Sequence, residues 1–201
     1  MTVDWSFFLP GLIALLFPAD WLLSSKVTLR GMESFRTLEN SPRRRPWWWV
    51  PALWLDPVRS WFGVTLLLQS IDFGLGAWSQ VPVAAYVVVL VVLAVALAIQ
   101  TYTKRDPEKL LAPVGYAAGM LVALLPWEVS LLGIVTGVVA LIAFRAFHAF
   151  FTVALMAIGL LGLILESRVH WLLPAMGAMV VPALVTFFTA RTLELPTRAD
   201  S

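Results

Sequence analysis

Seven apolar runs recur along the chain, at 7–23, 58–78, 81–100, 110–125, 129–144, 150–165 and 171–190, separated by short polar stretches. From Phe73 to Thr103 no residue is charged, and about 20 helical residues cross a hydrocarbon core of ~30 Å. The pattern predicts an all-α, polytopic transmembrane helix bundle of seven spans. Six follow if the run at 7–23, interrupted by Pro10 and Pro18, is re-entrant or interfacial. The reversal between the fifth and sixth runs, Phe144-Arg145-Ala146-Phe147-His148, lacks the Gly or Pro that usually punctuates a turn. Length still requires it, because one helix over 129–165 would run about 55 Å at 1.5 Å per residue.

Composition agrees with a membrane solvent. The chain has 201 residues, 60% of them hydrophobic and 13% charged, with a mean hydropathy of +0.87, whereas soluble domains carry roughly 25% charged residues. Many of the Trp residues, among them Trp5, Trp21, Trp78, Trp127 and Trp171, stand at the ends of apolar runs, where amphipathic rings suit the headgroup level. The absence of Cys removes disulfides, thiolate chemistry and Cys-ligated metal centres together. The opening Met-Thr-Val-Asp-Trp has no basic stretch, so the first run is expected to be an uncleaved helix rather than a secretory signal.

Charge orients the bundle. Of the 14 Lys and Arg residues, all but Arg168 fall on one side when the seven runs are threaded alternately, and an excess of Lys and Arg marks cytoplasmic loops. The N-terminus is therefore expected outside and the C-terminus in the cytoplasm. The bacterial cytoplasmic (inner) membrane is the expected location. The chain is expected to form one integral domain over 1–201. Within it the segment 24–57 is too poor in apolar residues to bury a core of its own. There Arg43-Arg44-Arg45-Pro46-Trp47-Trp48-Trp49 joins basic and aromatic clusters, the composition of a segment lying on an anionic leaflet. Membrane lipids are thus the expected partners, and three Trp beside a span suit an interface better than nucleic acid.

Candidate chemistry is sparse. Asp72 lies inside the second run, and a carboxylate at membrane depth costs ~2.5 to 3.5 kcal/mol on insertion scales, so it is expected to face the bundle interior. Thr65, Gln69, Asp72 and Gly76 follow helical spacing and are expected on one face. A hairpin about Ser79-Gln80 would bring Tyr86 to the depth of Asp72. A second polar group, Asp20, Asp56, Arg59, Arg145 and His148, gathers at the inner interface. Asp56 and Arg59 can pair three residues apart, and Arg59, Arg145, His148 and Arg43 to Arg45 suit a lipid phosphate. No cofactor or metal is expected, since His148 and His170 fall on opposite sides and neither belongs to a zinc motif. Gly115-Tyr-Ala-Ala-Gly119, Gly133-Ile-Val-Thr-Gly137 and Ala94-Val-Ala-Leu-Ala98 are small-xxx-small patterns that let helices approach closely.

Scarcity of buried polar groups makes a non-catalytic membrane component or partner subunit the leading expectation, with a membrane protein partner or a second copy as its associate. A transporter or channel for a small or amphipathic solute, with its site at Asp72, Gln69, Thr65 and Tyr86, is the first alternative. A lipid-headgroup enzyme at the inner leaflet, using Arg145 and His148, is the second.

Overall fold

The computed structural model describes residues 2–18, 21, 27–30, 51–72, 83–102, 109–164 and 171–198. Among these the chain is helical, with seven helices: α1 (Trp5–Leu16), α2 (Pro51–Gln69), α3 (Val83–Thr101), α4 (Val114–Leu124), α5 (Trp127–Phe144), α6 (Phe147–Ile164) and α7 (Leu172–Thr189). Four of them, α3, α5, α6 and α7, are long and apolar enough to cross a membrane. Two are not. With 12 and 11 residues, α1 and α4 extend only about 18 and 16 Å.

Their ends depart from the apolar runs for local reasons. The side chain of Asp4 caps α1 by accepting from Ser6 N at 2.9 Å, which satisfies one of the four free donors of a helix start. Pro18 ends the helix, because the residue before a proline is driven out of the α region, and Phe17 stands at φ −60°, ψ 121°. Helix α2 begins and ends earlier than the run at 58–78. Its start at Pro51 suits a proline, which has no N–H to lose there. Its end at Gln69 is followed by an extended pair, β3 (Ile71–Asp72), bonded to β1 (Thr2–Val3). Asp72 pairs with Thr2 in that ladder, so it lies beyond the helix and does not share a helical face with Thr65 and Gln69. Gly76 lies outside the described residues.

Strands were not anticipated from the hydropathy pattern. Besides β1 and β3, β2 (Val27–Arg30), β4 (Lys109–Leu111) and β5 (Thr192–Arg198) form a three-stranded sheet in the order β2-β5-β4. Strand β5 pairs antiparallel with β2 and parallel with β4. These two sheets mark the two ends of the bundle. The β1-β3 ladder joins the start of α1 to the end of α2, and β2-β5-β4 joins the connections after α1, α3 and α7. Arg30, Lys109 and Arg198 sit in that second sheet, and Arg191 adjoins it.

Packing falls into two groups. Helix α2 lies on α1 and on α4, while α5, α6, α7 and α3 pack in a row. Helix α1 touches α3, and α4 touches α5 and α7. The core is apolar, with Leu15, Leu67, Leu93, Leu97, Met120, Phe150, Ile158 and Met179 fully buried. Outside it, Val87, Val91 and Val95 form an exposed stripe on α3, and Phe187 and Phe188 on α7 are 81% and 78% exposed. Water penalises such a surface and lipid does not. Two of the small-residue patterns are crossing points: Gly133 and Gly137 sit against Ile158, Phe150 and Ala154 of α6, and Gly119 sits against α2. Ala94 and Ala98 are only half-buried.

A Cβ at Gly119 would overlap the Pro57 carbonyl and the Ser60 hydroxyl, whereas one at Gly177 would meet only the end of the Leu90 side chain. Gly119→Ala should therefore cost about 1–3 kcal/mol or more by forcing two backbones apart. Gly177→Ala should cost much less, since Leu90 can turn away. Thermal unfolding of both variants in detergent checks the contrast, and equal stabilities would refute the close crossing of α2 and α4.

Candidate functional site

The densest polar constellation among the described residues lies where α1 stops. A helix end leaves carbonyls without intrahelical donors. Here Phe17 N still reaches Ile13 O at 3.0 Å, but the carbonyls of Leu15 and Phe17 turn to other helices. Gln100, at the end of α3, donates from Nε2 to Leu15 O at 3.0 Å and to Phe17 O at 2.8 Å. Tyr116 of α4 donates its hydroxyl to Leu15 O at 3.0 Å. Arg59 of α2 donates from Nη1 to Phe17 O. Each carbonyl accepts two hydrogen bonds, the number its lone pairs allow.

Arg59 also holds the cluster together sideways. Its Nη2 donates to Asp56 Oδ1 at 3.0 Å and to Gln100 Oε1 at 3.0 Å. Its guanidinium lies 5.4 Å from the centre of the Tyr116 ring, within the range of a cation–π contact. The side chains of Arg59 and Asp56 are 13% and 16% exposed, while Gln100 and Tyr116 are buried. The Arg59 Nε is buried without a hydrogen-bond partner among the described residues. The expected pairing of Asp56 with Arg59 is present. The guanidinium, however, turns inward to protein carbonyls rather than outward as a headgroup contact.

The remaining candidates are dispersed. Thr65 donates its hydroxyl to Trp61 O at 2.8 Å, and Gln69 is exposed at the far end of α2. Asp72 is in β3, and Tyr86, in the first turn of α3, lays its ring 5.2 Å from that of Trp171. Arg145 and His148 are both exposed at the reversal between α5 and α6. Arg43, Arg44 and Arg45, with Trp47 to Trp49, lie outside the described residues, as do Asp20 and His170. Sequence reading placed Asp56 and Arg59 together but missed Gln100 and Tyr116. The available signal was Gln100 itself, a single amide at the end of an otherwise apolar run, because interior amides in membrane helices seek partners on neighbouring helices.

Arg145 supplies the reversal that no Gly or Pro marks. It stands in the left-handed region at φ 53°, ψ 34°, closing α5. That conformation costs an L-residue roughly 1–2 kcal/mol, against which a cation at a helix C-terminus is favourable. No protein-family profile, curated protein or solved structure matches this chain.

Arg59→Ala should destabilise the fold by about 3–5 kcal/mol, because it leaves the Asp56 carboxylate buried without its partner. Combining it with Asp56→Asn should cost clearly less than the two losses summed. Tryptophan fluorescence during unfolding in mixed micelles reads both, and simple additivity would mean that the pair is uncoupled. Separately, Arg145→Gly should raise stability by up to ~1 kcal/mol by relieving the left-handed residue. A loss of stability would show that the side chain makes a contact outweighing the strain.

Proposed function

We propose that this chain is a non-catalytic, polytopic component of a bacterial cytoplasmic membrane, with its N-terminus outside, that serves as a subunit or scaffold for a neighbouring membrane protein. One observation carries the reading: the polar side chains in the interior of the described bundle are engaged with one another and with backbone. Arg59, Asp56, Gln100 and Tyr116 bond one another and the end of α1. The hydroxyls of Ser60, Thr101, Ser130, Thr136, Thr152, Thr186 and Thr189 each donate to a carbonyl three or four residues back in the same helix. A solute path requires donors and acceptors directed at a solute, and these are directed at backbone. The carrier alternative also loses its geometric motive with Asp72 beyond the end of α2. Basic residues on the β2-β5-β4 end support the orientation, and they suit that end to an anionic leaflet.

Sidedness is directly measurable because the chain contains no Cys. In intact cells, an impermeant thiol reagent should label Glu128→Cys but reach Arg145→Cys only after permeabilisation; the reverse pattern would invert the proposed topology. For the role itself, gentle detergent extraction from native membranes followed by native mass spectrometry should give the 22.2 kDa chain bound to a second polypeptide at fixed ratio. An isolated chain that drives solute flux in proteoliposomes, with flux abolished by Asp72→Asn, would replace the subunit reading with the carrier one.

A further inference from the structure

We infer that the Phe17 carbonyl just past α1, with the Asp56 carboxylate and the Gln100 amide oxygen, forms a monovalent-cation site whose cation is supplied by the chain itself, as the Arg59 guanidinium. Helix C-termini carry a partial negative charge, and in membrane proteins the unwound carbonyls of interrupted helices hold small cations at depth. The elements of such a site are present. Pro18 interrupts the first apolar run, Phe17 is extended, and the carbonyls of Leu15 and Phe17 face the neighbouring helices rather than their own. The Asp56 carboxylate stands opposite as counter-ion at 3.0 Å from Arg59 Nη2, and the Tyr116 ring offers a π-face to the same cation.

What occupies this cage is a planar fork rather than a hydrated ion. A guanidinium is weakly hydrated, is always charged and distributes its donors in fixed directions. It therefore bonds a carbonyl on α1, a carboxylate on α2 and an amide on α3 at once, which a point charge does less well. The consequence is that α1 is locked in place independently of the salt around the protein. Removing the side chain while keeping Asp56 leaves a cage of the right charge and shape for free guanidinium.

The test is thermal unfolding of the detergent-solubilised full chain. Arg59→Ala should unfold at a lower temperature than the parent. Millimolar guanidinium chloride should recover roughly half or more of that loss, while tetramethylammonium chloride at equal ionic strength should recover none. The parent should respond to neither salt, nor to exchange of sodium for potassium. An unchanged melting temperature of the variant in guanidinium, or an equal response in variant and parent, overturns the inference. Should Arg59→Ala yield no folded protein, Arg59→Lys and Arg59→Gln decide it. A cation requirement demands that the Lys variant retain more stability than the neutral Gln variant, and Gln equal to or better than Lys refutes it.

Discussion

A backbone carbonyl cannot be left bare in a low-dielectric interior, and the architecture of this chain turns on how that constraint is met at Leu15 and Phe17. Pro18 denies the helix its continuation. The freed carbonyls then draw one donor each from α2, α3 and α4: Arg59 Nη1, Gln100 Nε2 and the Tyr116 hydroxyl. Since those donors come from three elements far apart in sequence, satisfying the end of α1 fixes the positions of all three. The short length of α1 is thus no defect in the bundle. It creates the acceptors around which the first group of helices assembles.

The second group is held differently. Between α5 and α6 there is no comparable polar knot; Gly133 and Gly137 let the backbones close on Phe150, Ala154 and Ile158. Without a hydrophobic drive between helices in lipid, such close packing is a principal source of association. The two modes meet at α3. Its Gln100 reaches into the polar cluster, while its apolar residues pack on α7. Helix α3 is consequently, with α4, an element through which a displacement of α1 would be felt by the remainder of the bundle.

Among the described residues the order of the helices was legible in the sequence, most clearly for α3, α5, α6 and α7, because each of these fills a long apolar run. The reversal at Arg145 was legible from length alone, although its mechanism, a left-handed arginine, was not. Helix ends were less legible. Hydropathy places Asp72 within a continuous run, but whether the backbone there is helical depends on β1 arriving from elsewhere in the chain to pair with it. The strands are invisible to an apolar pattern for the same reason, since Leu110 and Leu193 meet only through β4 and β5. The polar cluster was half legible: Asp56 and Arg59 are neighbours on one helix, whereas Gln100 and Tyr116 join them only through packing.

Charge position ties these observations to function. A guanidinium near a helix end is ordinarily taken to snorkel toward headgroups, and that expectation counts Arg59 among the residues available to lipid. Arg59 is instead engaged by Phe17, Asp56 and Gln100 and ties three helices together, whereas Arg145 and His148 are exposed. A chain organised in this way concentrates its interior polarity on its own backbone and presents apolar side chains such as Val87, Val91 and Val95 outward. Arg59, Asp56, Gln100 and Tyr116 bind one another and the end of α1, so this cluster sets the relative placement of four helices and, through it, which apolar side chains face outward.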